Sequence, residues 1–236
     1  YDITDKKKDQ FERYHKRDQE QLGGSVYYGK NWKGVGKTNF TLAHSNLAIN
    51  SFDSRQYIDA LNINKPSLLN SIITNRVAES TIKIEHHFPT SRKQTWLLGM
   101  GLINNQTTFG DETKLVETNA NRINGFLKND ISVSKKIRIE PGIRVDIPLN
   151  IKKIYIQPRI NLILKPFQYW KVNLAAGIYN QFLIENPIFD STGNNYNNWG
   201  IADEKLILVI KGVHYVSGIS YNKNDLTLSA EVFYKT

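Results

Sequence analysis

The chain has 236 residues, 40% of them hydrophobic, no cysteine, and a formal net charge of +9. Without cysteine there are no disulfides, thiolate metal sites or cysteine nucleophiles. No run approaches the roughly 18–20 apolar residues that a membrane-spanning helix needs, which excludes a helical membrane protein.

Residues 1–21 are densely charged, with acidic and basic side chains cancelling, and are expected to form a loop. From there on helical periodicity is scarce, and alternation of apolar and polar residues recurs. It predicts strands over 22–30, 37–49, 69–88, 96–104, 122–134, 137–147, 155–164, 169–183, 208–221 and 226–236. In the sixth, Ile137, Ile139, Ile143, Val145 and Ile147 alternate with Arg138, Glu140, Arg144 and Asp146. The seventh sets Ile156, Pro158, Ile160 and Leu162 against Gln157, Arg159 and Asn161. Each strand thus has one apolar and one polar face. Several reach the roughly 9–11 residues with which a tilted strand crosses a bilayer.

The connections alternate in length. Short turns are expected at 31–36, 89–95, 135–136, 165–168 and 222–225, and longer polar loops at 50–68, 105–121, 148–154 and 184–207. Sorting by parity is what an up-and-down transmembrane β-barrel produces, with short periplasmic turns and long extracellular loops. Phe88, Trp96, Tyr169, Trp170, Tyr221, Phe233 and Tyr234 fall near strand ends, where aromatic girdles belong. This parity puts both chain ends on the long-loop side, so residues 22–236 are expected to be an internal segment of a larger barrel.

The charge distributes accordingly. Lys33, Lys37, Arg92, Lys93, Lys135, Lys136, Lys165 and Lys223 against Asp225 make the short turns basic, and the long loops are slightly acidic. A nucleic-acid binder gathers its basic residues on one stripe; here they are dispersed, so no nucleic-acid partner is expected.

Other chemistry is weakly signalled. Gly34-Val35-Gly36-Lys37-Thr38 ends like a phosphate loop, but Asn31 stands where the first glycine is required and no helix follows. In Glu85-His86-His87 only Glu85 and His87 share a strand face, short of the three protein ligands that zinc usually takes. His15, His44 and His214 are isolated, and no catalytic group or cofactor is expected. Arg144 and Arg159, on the polar faces of adjacent strands, and Asn195, Tyr196 and Trp199, in the 184–207 loop, are the substrate-binding candidates: rings supply area and amides hydrogen bonds. The same residues would also suit a solvated wall and an idle loop.

Several stretches, in order, resemble the barrel of a TonB-dependent outer-membrane receptor. They are Thr81 to Phe88 with Trp96-Leu97-Leu98-Gly99, the Pro141-Gly142-Ile143-Arg144 strand, and the Pro158-Arg159 strand with Gly177-Ile178-Tyr179-Asn180-Gln181. Val213 to Gly218 and Leu226 to Lys235 are similar to the hairpin that follows. The resemblance implies a 22-stranded barrel in the outer membrane of a Gram-negative cell. It also implies a plug domain in the lumen and import energised through TonB. Its substrates would be scarce solutes such as iron chelates, cobalamin, oligosaccharides or peptides, in some cases with a surface lipoprotein as lid. A passive porin is the rival reading, and a barrel enzyme a more distant one.

Overall fold

A computed structural model describes residues 12–58, 66–189 and 195–236. Twelve strands run in chain order: β1 (Glu12–Trp32), β2 (Gly36–Ile58), β3 (Pro66–Ser91), β4 (Gln94–Asp111), β5 (Leu115–Ser132), β6 (Ile137–Pro148), β7 (Tyr155–Leu164), β8 (Trp170–Gln181), β9 (Leu183–Phe189), β10 (Asn195–Ile201), β11 (Ile210–Lys223) and β12 (Leu226–Lys235). Ten of them make one antiparallel sheet in the order β1-β2-β3-β4-β5-β6-β7-β8-β11-β12, and β9 pairs with β10 alone. The architecture is all-β and up-and-down, and the sheet is open, with β1 and β12 at its edges.

Four expectations need correction. Of the expected 50–68 loop, residues 50–58 and 66–68 are strand, paired as far as Ile58 opposite Pro66, and 59–65 lie outside the described residues. Residues 12–21 are not a loop: they extend β1, with Glu20 opposite Ala48 and Lys16 opposite Phe52. The 105–121 stretch is almost wholly strand, turning tightly at 112–114, where the Asp111 carboxylate accepts the Thr113 and Lys114 amides at 2.9 Å. Residues 184–207 contain the β9–β10 hairpin. In each case ladder bonding to a neighbour overrides a charged or amide-rich sequence that carries little strand preference by itself.

Alternation sorts the side chains as the sequence implies. One lateral row, Tyr28–Phe40–Ile84–Met100–Gly125–Val145–Ile156, crosses seven strands on the apolar face. Its neighbour, Thr41–Lys83–Gly101–Asn124–Asp146–Tyr155, lies on the polar face. Burial is inverted relative to a water-soluble domain: Asp146 is 1% and Asn75 4% exposed, whereas Leu98 is 53% and Met100 61% exposed.

The apolar face has sharp limits. Its last apolar row is Ile82–Leu102–Ile123–Ile147; the next is His44–Ser80–Asn104–Asn121. There His44 Nδ1 and Ser80 Oγ lie 2.9 Å apart, and Asn104 Nδ2 donates to Asn119 at 2.6 Å and Asn121 at 2.9 Å. At the short-turn end, Trp32 Nε1 donates to Thr38 at 2.9 Å, Thr38 bonds His86 Nδ1 at 2.9 Å, and His86 stacks on Phe88. Tyr169, Trp170 and Tyr221 form a second aromatic group at that end. From Trp96 to Leu102 the apolar face spans about 20 Å along the strand at ~3.4 Å per residue.

The first short turn holds Gly36 at φ 133°, and a Cβ there would sit 2.0 Å from the His87 carbonyl oxygen. Gly34-Val35-Gly36 is therefore a hairpin turn between β1 and β2.

Candidate functional site

The polar face carries a continuous network across β5 to β11. Asp146 is its centre. Arg144 donates to both carboxylate oxygens, Nε at 2.7 Å and Nη2 at 2.9 Å; Gln157 Nε2 donates at 2.5 Å, and Arg122 Nε lies at 3.3 Å. A carboxylate this buried is stable only with such partners. From Gln157 the network continues to Arg159, whose Nη2 donates to Gln157 Oε1 at 3.1 Å. Arg159 lies over the Tyr179 ring at 4.4 Å, and Tyr179 stacks on His214 at 4.5 Å. Gly177 makes room for this: a Cβ there would stand 3.1 Å from Arg159 Cγ and from the Tyr179 ring. The Pro-Arg and Gly-x-Tyr signatures on β7 and β8 thus describe one contact, an arginine laid across a glycine onto a tyrosine.

A second cluster sits nearer the short turns. Glu140 receives Lys128 Nζ at 2.6 Å, Arg138 Nε at 3.0 Å and Asn161 Nδ2 at 3.2 Å, and Arg138 also pairs with Asp130. Between the two clusters is a recess of about 420 Å³, lined by Lys83, Glu85, Lys128, Arg144, Arg159 and Tyr179 among others.

The two predicted arginines are in the same recess but are not equivalent. Arg144 is committed to Asp146 through two hydrogen bonds. Among the described residues Arg159 makes a single hydrogen bond, from Nη2 to Gln157, and otherwise rests on the Tyr179 ring, so the rest of its guanidinium fork is donor capacity for a ligand. Asn195 and Tyr196 lie in β10, opposite Phe189 and Ile188; their side chains fall outside the described residues. Trp199, opposite Glu185, is half-buried, and its Nε1 has no hydrogen-bond partner. Arg122, Gln157 and Tyr179 were not singled out in the sequence, although strand parity alone places each on the polar face.

The β9–β10 hairpin leaves the sheet between β8 and β11 and packs against β3, β4 and β5, where the Asn75 side-chain amide donates to the Asn197 carbonyl. It lies across the polar face at the long-loop end. Beneath it is a small apolar core of Ile151, Tyr155, Phe182, Ile184 and Ala202, with Ile207 and Val209 packed on it. Tyr155 meets Phe182 edge-on at 5.0 Å, and Arg122 lies over Phe182 at 4.3 Å, linking this layer to the Asp146 network.

Polar contacts fasten the layer. Asn150 Nδ2 donates to the Ala202 carbonyl at 2.8 Å, and the Tyr155 hydroxyl to Glu204 at 2.5 Å. Asp203 Oδ1 accepts the Lys205, Leu206 and Ile207 amides at 2.9–3.0 Å. Those amides, that of Ile207 foremost, hold the Asp203 carboxyl below its ordinary range. The Tyr155 hydrogen bond does the same for Glu204, aided by Lys153.

Among the described residues no three His, Asp or Glu side chains come together as a metal site. His86 belongs to the aromatic group at the short-turn end, His44 to the amide row and His214 to the Tyr179 stack.

No protein-family model matches the sequence, and no curated protein matches it. Solved structures do match its fold. The siderophore receptor PirA from Pseudomonas aeruginosa aligns with TM-score 0.53 and 12% identity over 99% of this chain and 51% of its own. PirA from Acinetobacter baumannii aligns with TM-score 0.53 and 11% identity over 95% of this chain and 42% of its own. The RagAB peptide transporter gives 0.55 and 11% over 95% and 30%. The chain spans about half or less of the length of these proteins. Its fold is that of part of these receptors and of this transporter.

Proposed function

We propose that this chain is part of an outer-membrane receptor that takes up a scarce solute with TonB-coupled energy. The observation that carries the reading is the pairing of an inverted ten-stranded wall, apolar outside and charged inside, with a folded hairpin laid over the charged face. Such a cover suits a receptor that first captures a solute and then admits it.

In this reading residues 12–236 belong to the barrel segment and the short turns face the periplasm. The bilayer, a plug domain and TonB are its partners, with a surface lipoprotein as a further one of the kind RagAB suggests. Arg159 and Tyr179 offer the ligand a cation and a ring inside the lumen; Asn195, Tyr196 and Trp199 meet it at the hairpin. Arg144 serves mainly to compensate Asp146.

The test is solute uptake by cells whose growth depends on the full-length receptor. Uptake should cease when TonB is deleted or the proton gradient is collapsed. Arg159→Ala should weaken solute binding at least tenfold, while Arg159→Lys should restore only part of it, since lysine lacks the planar fork that stacks on Tyr179. Undiminished flux without TonB would overturn the importer reading in favour of a porin.

A further inference from the structure

The most concentrated unbalanced charge among the described residues is not in the candidate site. At the short-turn end of the polar face, Lys93, Lys135, Lys136, Lys165 and Lys171 line one recess of about 520 Å³. All five are exposed, and none has a carboxylate within ion-pair distance among the described residues. The nearby carboxylates are already matched: Asp130 with Arg138, Glu140 with Lys128 and Arg138.

The lysines are held on fixed backbone. The turns carrying them are stitched together, Ser132 N donating to the Lys93 carbonyl and Lys165 N to the Lys136 carbonyl, each at 2.8 Å. Ser134 Oγ caps its own turn by accepting Lys136 N at 3.1 Å, and Lys136 Nζ reaches the Pro166 carbonyl at 3.4 Å. The recess also has apolar lining from Ile137 and Ile163.

We propose that this recess is a docking site for an acidic polypeptide segment, one whose Asp or Glu side chains flank an apolar residue. Like charges gathered at this density repel one another and attract a multivalent anion, and the fixed backbone of the turns lowers part of the ordering cost of binding it. The apolar lining selects an occupant with apolar side chains of its own. A nucleic acid would need a basic stripe, and this is a single confined recess. Lipid headgroups are disfavoured by parity: Ser132, Arg138 and Ile163 form one lateral row with Asn173 on the polar face, Lys171 lies two residues along β8 on that face, and only Ile137, at the strand end, belongs to the other. The proposal stands on the recess and does not depend on solute import.

The experiment uses the purified full-length receptor in detergent, with a capped Glu-Leu-Glu-Glu-Leu-Glu peptide as probe and a zero-length carbodiimide as cross-linker. The expected result is isopeptide bonds from Lys135, Lys136 or Lys165 to the peptide, or to an acidic segment of the receptor itself if that segment occupies the recess. Peptide affinity should fall at least tenfold in K135Q/K136Q/K165Q, hold in the corresponding triple Arg variant, and weaken steeply with salt. The Lys128–Glu140 pair, at 2.6 Å, cross-links in every variant and reports an intact fold. Failure of all three lysines to link to any carboxylate while that control forms would overturn the proposal. So would equal binding of a Gln-Leu analogue, or displacement of the peptide by phosphatidylglycerol with the same lysine dependence, which would assign the recess to lipid. Loss of TonB-dependent uptake would leave these readings untouched.

Discussion

In the ten-stranded wall the side chains furthest from solvent are polar, Asp146, Asn75 and Asn124 among them, while Leu98, Met100 and Val232 lie open. In the layer formed by the β9–β10 hairpin and residues 150–155 the order is reversed: Phe182, Ile184 and Ala202 are inside and Lys205 is outside. One chain thus carries two opposite patterns of burial. The wall is held by backbone ladders and by a charged network that must be complete to be stable. The layer over it is held by ordinary apolar burial and a few fastening hydrogen bonds. The hairpin is therefore the part that can be loosened without dismantling the wall.

The largest effect should come from breaking the wall network. Asp146→Ala leaves Arg144 and Arg122 without their shared carboxylate, and removing one partner of a buried pair costs about 3–5 kcal/mol. Urea unfolding of the refolded barrel, read by electrophoretic mobility of the folded form, should show that loss. A cost under about 1 kcal/mol would mean that water replaces the carboxylate freely.

Next come matched truncations in the two regions. Phe182→Ala should cost about 3 kcal/mol, the lower end for a buried phenylalanine, because the apolar core there is small. Leu98→Ala, on a face with no packed partner against which to leave a cavity, should cost only the lost transfer free energy, about 2 kcal/mol in a bilayer. Hydrogen exchange should localise the first loss to residues 182–207. Equal costs would erase the distinction between wall and cover.

The smallest effect is on pH. The Asp203 and Glu204 carboxyls are held below their ordinary values of 3.8 and 4.5, so their contribution is present above those values and is lost as pH falls through the lowered ones. Protection of the Lys205, Leu206 and Ile207 amides, taken relative to their intrinsic exchange rate at each pH, should fall below about pH 4 and be flat from about pH 5 to 8. In Asp203→Asn it should already be lower at neutral pH.

What could be read in advance follows from where alternation is strong. Arg138 to Asp146 and Gln157 to Asn161 alternate cleanly, so the polar face and its arginines were legible; the sorting of connections by length was less so, since 105–121 is strand closing in a tight turn at 112–114. The β9–β10 hairpin was not. Asn195-Tyr196-Asn197-Asn198-Trp199 carries too many amides to look like a strand, although Gly193-Asn194 between two aromatic-containing runs is a hairpin signal. Residues 12–21 were missed because their strand character comes from the β2 edge they pair with. The distinction between Arg144 and Arg159 depends on which neighbour each guanidinium meets, and spacing is silent on that.

In the outer-membrane reading proposed above, the amide row above Leu102 and the aromatic groups at the short turns act together as a gauge. A sheet whose apolar surface ends this abruptly, after about 20 Å along the strand, tolerates little hydrophobic mismatch. In a thick bilayer lipid tails would have to cover Asn104 and its partners, or the membrane would have to thin around the protein. Bacterial outer membranes are thinner than average. Replacing Asn104 and Asn121 with leucine would raise the upper limit by one row and shift the bilayer thickness in which the protein is best accommodated.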